Sequence, residues 1–286
     1  MESIVLFLAT VTLICLIQEN QSIVHNDVIV RTDIYDKKPA FFKIPRFIYD
    51  HARMKNFVQV RTERGFRYKM KLYCFPKDPR FCFFFDYCGN VAGVQISILK
   101  ADVKNVKPEI YNYTAVKDFI HTSFFRIPAY SVRVYFTHPD RLTTCRRNTS
   151  EVDEGIWTSI DSKIIEIPRC QPNGLKAGTF KMQGCYPRKG TVFINKFGSH
   201  DSCKEAYMLY ALYDRYSLVG FGFFGVGYGT PGPLRDWYTH ATGKPLKDLL
   251  PAPPPCFEDL KQFNFTSIHV FLVDNPRKIT CHGCNG

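Results

Sequence analysis

Two stretches of the chain, 131–145 and 267–281, are written to one plan. The first reads Ser-Val-Arg-Val-Tyr-Phe-Thr-His-Pro-Asp-Arg-Leu-Thr-Thr-Cys and the second Ser-Ile-His-Val-Phe-Leu-Val-Asp-Asn-Pro-Arg-Lys-Ile-Thr-Cys. The opening Ser, Val134 with Val270, Arg141 with Arg277, Thr144 with Thr280, and the closing Cys fall in register. Each begins with apolar residues at every second position: Val132, Val134 and Phe136, then Ile268, Val270 and Leu272. That period marks a strand with one face buried, and the Pro that follows marks a turn.

Other pairs recur in the same order. Ile44-Pro45-Arg46 is answered by Ile167-Pro168-Arg169, and Gly65-Phe66-Arg67-Tyr68-Lys69-Met70 by Gly178-Thr179-Phe180-Lys181-Met182. Cys74-Phe75-Pro76-Lys77 matches Cys185-Tyr186-Pro187-Arg188 in chemistry at every position, and Cys82 answers Cys203. Collinear order predicts an internal duplication. The expected fold is mainly β: two tandem disulfide-stabilised β-rich domains, sandwich or small barrel, over 23–150 and 151–286, with one or two short helices. Twenty-five Phe and 16 Tyr favour strands over helices.

Residues 4–17 form an apolar run too short to span a bilayer, followed by polar Gln18 to Ser22. This predicts a signal peptide over 1–22, although Met1-Glu2-Ser3 lacks the usual cation. Cysteine usage agrees with a secreted, extracellular chain. Cys74, Cys82, Cys88 and Cys145 lie in the first half; Cys170, Cys185, Cys203, Cys256, Cys281 and Cys284 lie in the second. Both sets are even, so each half can close its own bridges, with connectivity open. Asn112, Asn148 and Asn264 head glycan-acceptor sequons.

The formal charge is +12, and removal of Glu2 and Glu19 with the first 22 residues raises it to +14. Such a secreted chain favours anionic partners: sulfated glycan, acidic protein, an acidic surface or a small acidic ligand. No nucleic-acid recognition motif and no transmembrane anchor is read. Alternation over 61–73 sets Phe66, Tyr68, Met70 and Leu72 on one face and Arg67, Lys69 and Lys71 on the other. Those three cations are the candidate anion-binding residues. The alternative is a solvated strand surface whose lysines block edge pairing.

Residues 218–229 alternate Gly with large apolar side chains. The spacing of Gly220, Gly222 and Gly225 formally matches a dinucleotide fingerprint, but no helix could follow so much Gly. A strand whose Gly face meets another backbone is expected; a membrane-active hairpin is the alternative. Ser202-Cys203-Lys204-Glu205 has capping-box form ahead of Ala206 to Tyr213, which reads as a short helix or a buried strand. A second short helix is expected around Ala115 to His121.

Gly155-Ile156-Trp157 has the Gly-x-Trp form with which lipocalin barrels open; no more of that pattern follows, and a core Trp starting a strand is expected. Glu151, Asp153 and Glu154 read as a solvated acidic face beside a linker. Cys281-His282-Gly283-Cys284 reads as disulfide chemistry rather than a metal site. There is no Gly-x-Ser-x-Gly and no His-Glu-x-x-His. The sequence thus predicts a secreted, non-enzymatic extracellular binding protein without cofactor or metal. The alternatives are a membrane-active protein using 218–229 and a secreted hydrolase whose site has no local signature.

Overall fold

A computed structural model describes residues 23–32, 40–61, 70–144, 151–171, 180–186, 188–195, 203–241, 257–260 and 264–280. The first half contains β1 (Ile29–Thr32), β2 (Ala40–Lys43), helix α1 (His51–Met54), β3 (Val58–Val60), β4 (Lys71–Phe75), β5 (Asp78–Phe85), β6 (Val91–Leu99), β7 (Ile120–Phe124) and β8 (Ile127–Tyr135). The second contains β9 (Ile156–Ile160), β10 (Lys163–Ile167), β11 (Phe180–Tyr186), β12 (Gly190–Asn195), β13 (Leu209–Asp214), β14 (Ser217–Val226), β15 (Thr239–Ala241), helix α2 (Phe257–Leu260) and β16 (Phe265–Phe271).

Among the described residues the strands form two open antiparallel sheets, with no closed barrel. One runs β2-β1-β16-β14-β13-β12-β11, with β15 also on β16. The other runs β10-β9-β8-β6-β5-β4-β3, with β7 also on β8. The two orders read alike, and each sheet takes a hairpin from the opposite half of the chain. Val30 of β1 pairs with Val270, and Thr158 of β9 pairs with Val134. Those two valines are the matching positions of the Ser-to-Cys segments. The expected boundary near 150 therefore does not separate the sheets: strands cross it in both directions.

The segments also match in local detail. Ser131 meets the Thr122 hydroxyl of β7 at 2.8 Å, and Ser267 meets the Thr239 hydroxyl of β15 at 2.5 Å. Each segment then enters a 3₁₀ turn, Pro139–Arg141 or Pro276–Lys278. A side-chain cap precedes each turn, His138 accepting from Asp140 N and Asn275 from Arg277 N. Pro suits the first helical position because its missing N–H has no partner there anyway.

The inner faces of the sheets share one core. Phe81, Phe83, Phe85, Val94, Ile96, Val132 and Val134 meet Leu209, Ala211, Val219, Phe221, Phe223, Ile268 and Val270 in it. Phe136 lies 6.2 Å from Phe221, and Phe81 stacks on Trp237 at 5.0 Å. Alternation sends Cys82 and Phe84 to a smaller cluster on the far side, with Leu72, Cys74 and Leu142. There Cys74 and Cys82 form a disulfide across β4 and β5. Cys88, Cys185 and Cys203 are also disulfide-bonded.

The ambiguous stretches resolve as strand. Residues 209–214 form β13, every residue buried, with only a 3₁₀ turn at Cys203–Glu205 where the capping box stood. Burial on both faces removes the advantage of a helix, whose polar side would need solvent. Of the helix expected around Ala115 to His121, residues 115–119 run through turns and 120–121 open β7. Trp157 is the second residue of β9 and is half-buried; Ile156, which begins the strand, fills the core. Residues 217–226 form the interior strand β14. A Cβ on Gly222 would lie 2.2 Å from Ile268 O and 2.1 Å from the Tyr210 hydroxyl, so close backbone approach requires glycine there.

Candidate ligand-binding site

Three charged arrangements were candidates for a site, and the first two serve the fold. At the end of the sandwich, His25 Nδ1 lies 2.6 Å from Asp153 Oδ2, and His25 Nε2 lies 2.8 Å from Leu218 O. A carbonyl only accepts, so Nε2 donates, and one proton lies between Nδ1 and the carboxylate. Arg169 donates to the other Asp153 oxygen at 2.6 Å and to Glu151 Oε2 at 2.8 Å. His25, Glu151 and Asp153 have the spacing of a metal-binding trio, their ligand atoms within 4.8 Å of one another. Here the guanidinium already supplies the cation, and both imidazole nitrogens are engaged. The group is an ionic clasp joining the first described residues, the middle of the chain and β14. Asp153 is fully buried, which corrects the expectation of a solvated acidic face.

The second arrangement ties the sheets. Trp237 Nε1 donates to buried Asp78 Oδ2 at 2.9 Å, and Arg80 donates to Asp78 Oδ1 at 3.0 Å. Arg80 also donates to the carbonyl and the hydroxyl of Thr230, each at 2.7 Å. Thr230 in turn donates to Asp102 through N and Oγ1. Tyrosine hydroxyls add rungs: Tyr111 donates to Ala206 O and Tyr113 to Val226 O, each at 2.7 Å, and Tyr238 to Ser97 O. Burial raises the pKa of all three, so they remain neutral donors.

The third is open. A cleft of about 450 Å³ lies where the β13–β14 hairpin meets the 3₁₀ turn after β16. Val219, Val273 and Ile279 form its buried floor, with half-buried Ile23 beside them. Exposed Arg215, Tyr216, Asn275 and Lys278 form its rim. The hairpin is tight because Arg215 and Tyr216 both have positive φ, 48° and 69°. Those values match a two-residue turn that follows strand twist. Asp214 also lines the cleft, but Oδ1 accepts from Thr280 Oγ1 at 3.1 Å. Among the described residues neither Arg215 nor Lys278 has an ion-pair partner. A floor of aliphatic carbon under two rim cations that outnumber the one lining carboxylate, Asp214, suits a molecule with an apolar body and an acidic group.

The residues expected from sequence lie elsewhere. Arg67 and Lys69 fall outside the described residues; Lys71 is exposed on β4. Asn264 is exposed, while its sequon partner Thr266 is buried, donating to Gly227 O and accepting from Gly229 N. Asn112 is half-buried, its Oδ1 accepting from Thr114 N and Oγ1. Asn148, Cys145, Cys256, Cys281 and Cys284 fall outside the described residues, as do 1–22. Cys170 is half-buried at a bridge to Ser217, close to the cleft. The cleft residues were missed because they come from distant positions and carry no motif. The only local signal was Asp214-Arg215-Tyr216-Ser217, a polar interruption between two apolar runs. No helix is long and apolar enough to cross a membrane among the described residues.

No protein-family model, no curated protein and no solved structure matches the chain.

Proposed function

We propose that the protein is a secreted, non-enzymatic extracellular binding protein built from two copies of one duplicated unit, and that it holds a small acidic amphiphile in the cleft beneath Arg215 and Lys278. The observation that carries this reading is the pairing of an apolar floor with two rim cations. The volume lies within the range of about 300–1,000 Å³ usual for small-molecule sites. The basic balance of the chain draws acidic molecules toward it. The matching strand orders, paired Ser–Thr contacts and paired 3₁₀ turns support the duplication. Burial of β14 within its sheet weighs against a membrane-active hairpin at 218–229.

The test is titration with two apolar anions, dodecanoate and anilinonaphthalene sulfonate, by calorimetry and fluorescence. Saturable binding is expected, weakened about tenfold by Arg215→Ser with Lys278→Ser, given about 0.7 kcal/mol per rim cation. Val273→Phe, which narrows the cleft, should abolish it. Binding unchanged in both variants would refute the cleft as the site.

A further inference from the structure

We propose a second, separate binding surface: the exposed face built by residues 46–61 and the β5–β6 turn docks a sulfated glycan chain. Its aromatic part is unusually open. Tyr49 is 72% exposed, Tyr87 67% and Phe47 48%, whereas Phe is among the residues most often buried and Tyr is intermediate. The three belong to two segments held side by side. Ile48 N donates to Gly89 O at 2.8 Å, and Val91 N donates to Arg46 O at 2.7 Å. Phe47 pairs across to Asn90, and alternation turns Phe47 and Tyr49 outward while Ile48 packs on the core.

The scaffold is rigid. Gly89 has φ +86°, and a Cβ there would lie 2.5 Å from Ile48 Cγ2 and 3.3 Å from Tyr49 Cε2. Asp86 Oδ1 accepts from Asn90 N at 2.9 Å, and Tyr87 N donates to Leu142 O. Rings fixed on bonded backbone lose little entropy when a partner covers them.

The charge on this face is mostly positive, since the one carboxylate of the β5–β6 turn, Asp86, is buried and accepts from Asn90. Residues 46–61 carry Arg46, Arg53, Lys55 and Arg61 against the single carboxylate Asp50. Asp50 is occupied, capping α1 through Arg53 N at 3.2 Å and pairing with the Arg53 guanidinium at 3.5 Å. His51, Arg53, Lys55 and Arg61 are exposed, and so are Val58 and Gln59 between them. Cations spread along an exposed segment, with rings at one end, match a linear polyanion better than a point ligand. Sugar rings present a C–H face to tyrosine, their hydroxyls and sulfates meet the phenol and the cations, and both contacts are made at a wet surface.

The test uses a size-defined heparin oligosaccharide, its desulfated counterpart, and vesicles containing phosphatidylserine. Wild type should bind the sulfated fragment with affinity that falls steeply with salt. Tyr49→Ser with Tyr87→Ser should weaken it about tenfold, and Arg53→Ser with Lys55→Ser by a similar factor. Tyr49→Trp with Tyr87→Trp should retain binding, which separates loss of a ring from loss of the fold. Each variant's urea midpoint should stay near that of wild type, since the rings are open. Serine variants that bind the fragment as wild type does would overturn the proposal, leaving diffuse charge as the cause. Binding to the vesicles without binding to the fragment would also overturn it, in favour of a lipid surface. None of these positions touches the cleft, so dodecanoate binding should be the same in all of them.

Discussion

The indole of Trp237 donates to Asp78 at 2.9 Å, 159 positions away in the chain, from a ring that is fully buried and stacked on Phe81. Trp237→Phe would keep much of the packing and remove the donor, leaving one oxygen of a buried carboxylate with one partner fewer. A loss of about 1–3 kcal/mol is expected. Urea unfolding should show it as a lower midpoint with an unchanged slope.

Asp153→Asn removes the charge that faces both His25 and Arg169. Breaking a buried ion pair by changing one partner costs about 3–5 kcal/mol, and the lower end is expected because the Arg169 side chain is 37% exposed. Denaturant unfolding checks this. A change below about 1 kcal/mol would mean that solvent, not Asp153, satisfies the clasp.

Gly222→Ala would push a methyl into the Ile268 carbonyl and the Tyr210 hydroxyl. Backbone cannot retreat there without parting β14 from β16, so a loss at or above about 3 kcal/mol is expected. Soluble yield and thermal midpoint should both fall.

Acid should weaken the fold through His269. Burial, then Lys189 and Arg31, hold its pKa well below the ordinary histidine value. Unfolding frees it to bind a proton near pH 6.5, so the unfolded state takes up more protons than the folded one. Stability is full above that pH and declines as pH falls through it, by up to about 1.4 kcal/mol per pH unit. Urea midpoints at pH 7.5 and 5.5 should therefore differ more for wild type than for His269→Gln. Equal differences would place the titrating group elsewhere.

Much of the fold was legible because it is written locally. Alternation in 132–136 and 268–272 predicted β8 and β16. The Gly rhythm of 218–229 predicted a strand pressed against backbone, and Gly222 is so placed. What was not legible is pairing at a distance. Nothing in Val28-Ile29-Val30 says that its neighbour is Phe271 rather than a strand of its own half, because an apolar strand fits either sheet. Asp153 misled for a related reason. An acid beside a linker is usually solvated, and only the folded chain brings His25 and Arg169 to it. Ala206 to Tyr213 was all apolar, so period could not separate helix from strand; burial on both faces decided it.

The exchange of hairpins between the halves has a consequence for the order of assembly. β1 and β2 leave the ribosome early, yet β1 pairs with β16, completed more than 220 residues later. This early hairpin is thus among the last of the described elements to find its place. Until then its apolar strands, Phe41 and Phe42 among them, must wait without their sheet. A chain stopped after the first half could assemble β3 to β8 but would lack β9 and β10 on one edge and have no home for β1 and β2. The sandwich closes like a belt, the first described strand fastened by the last.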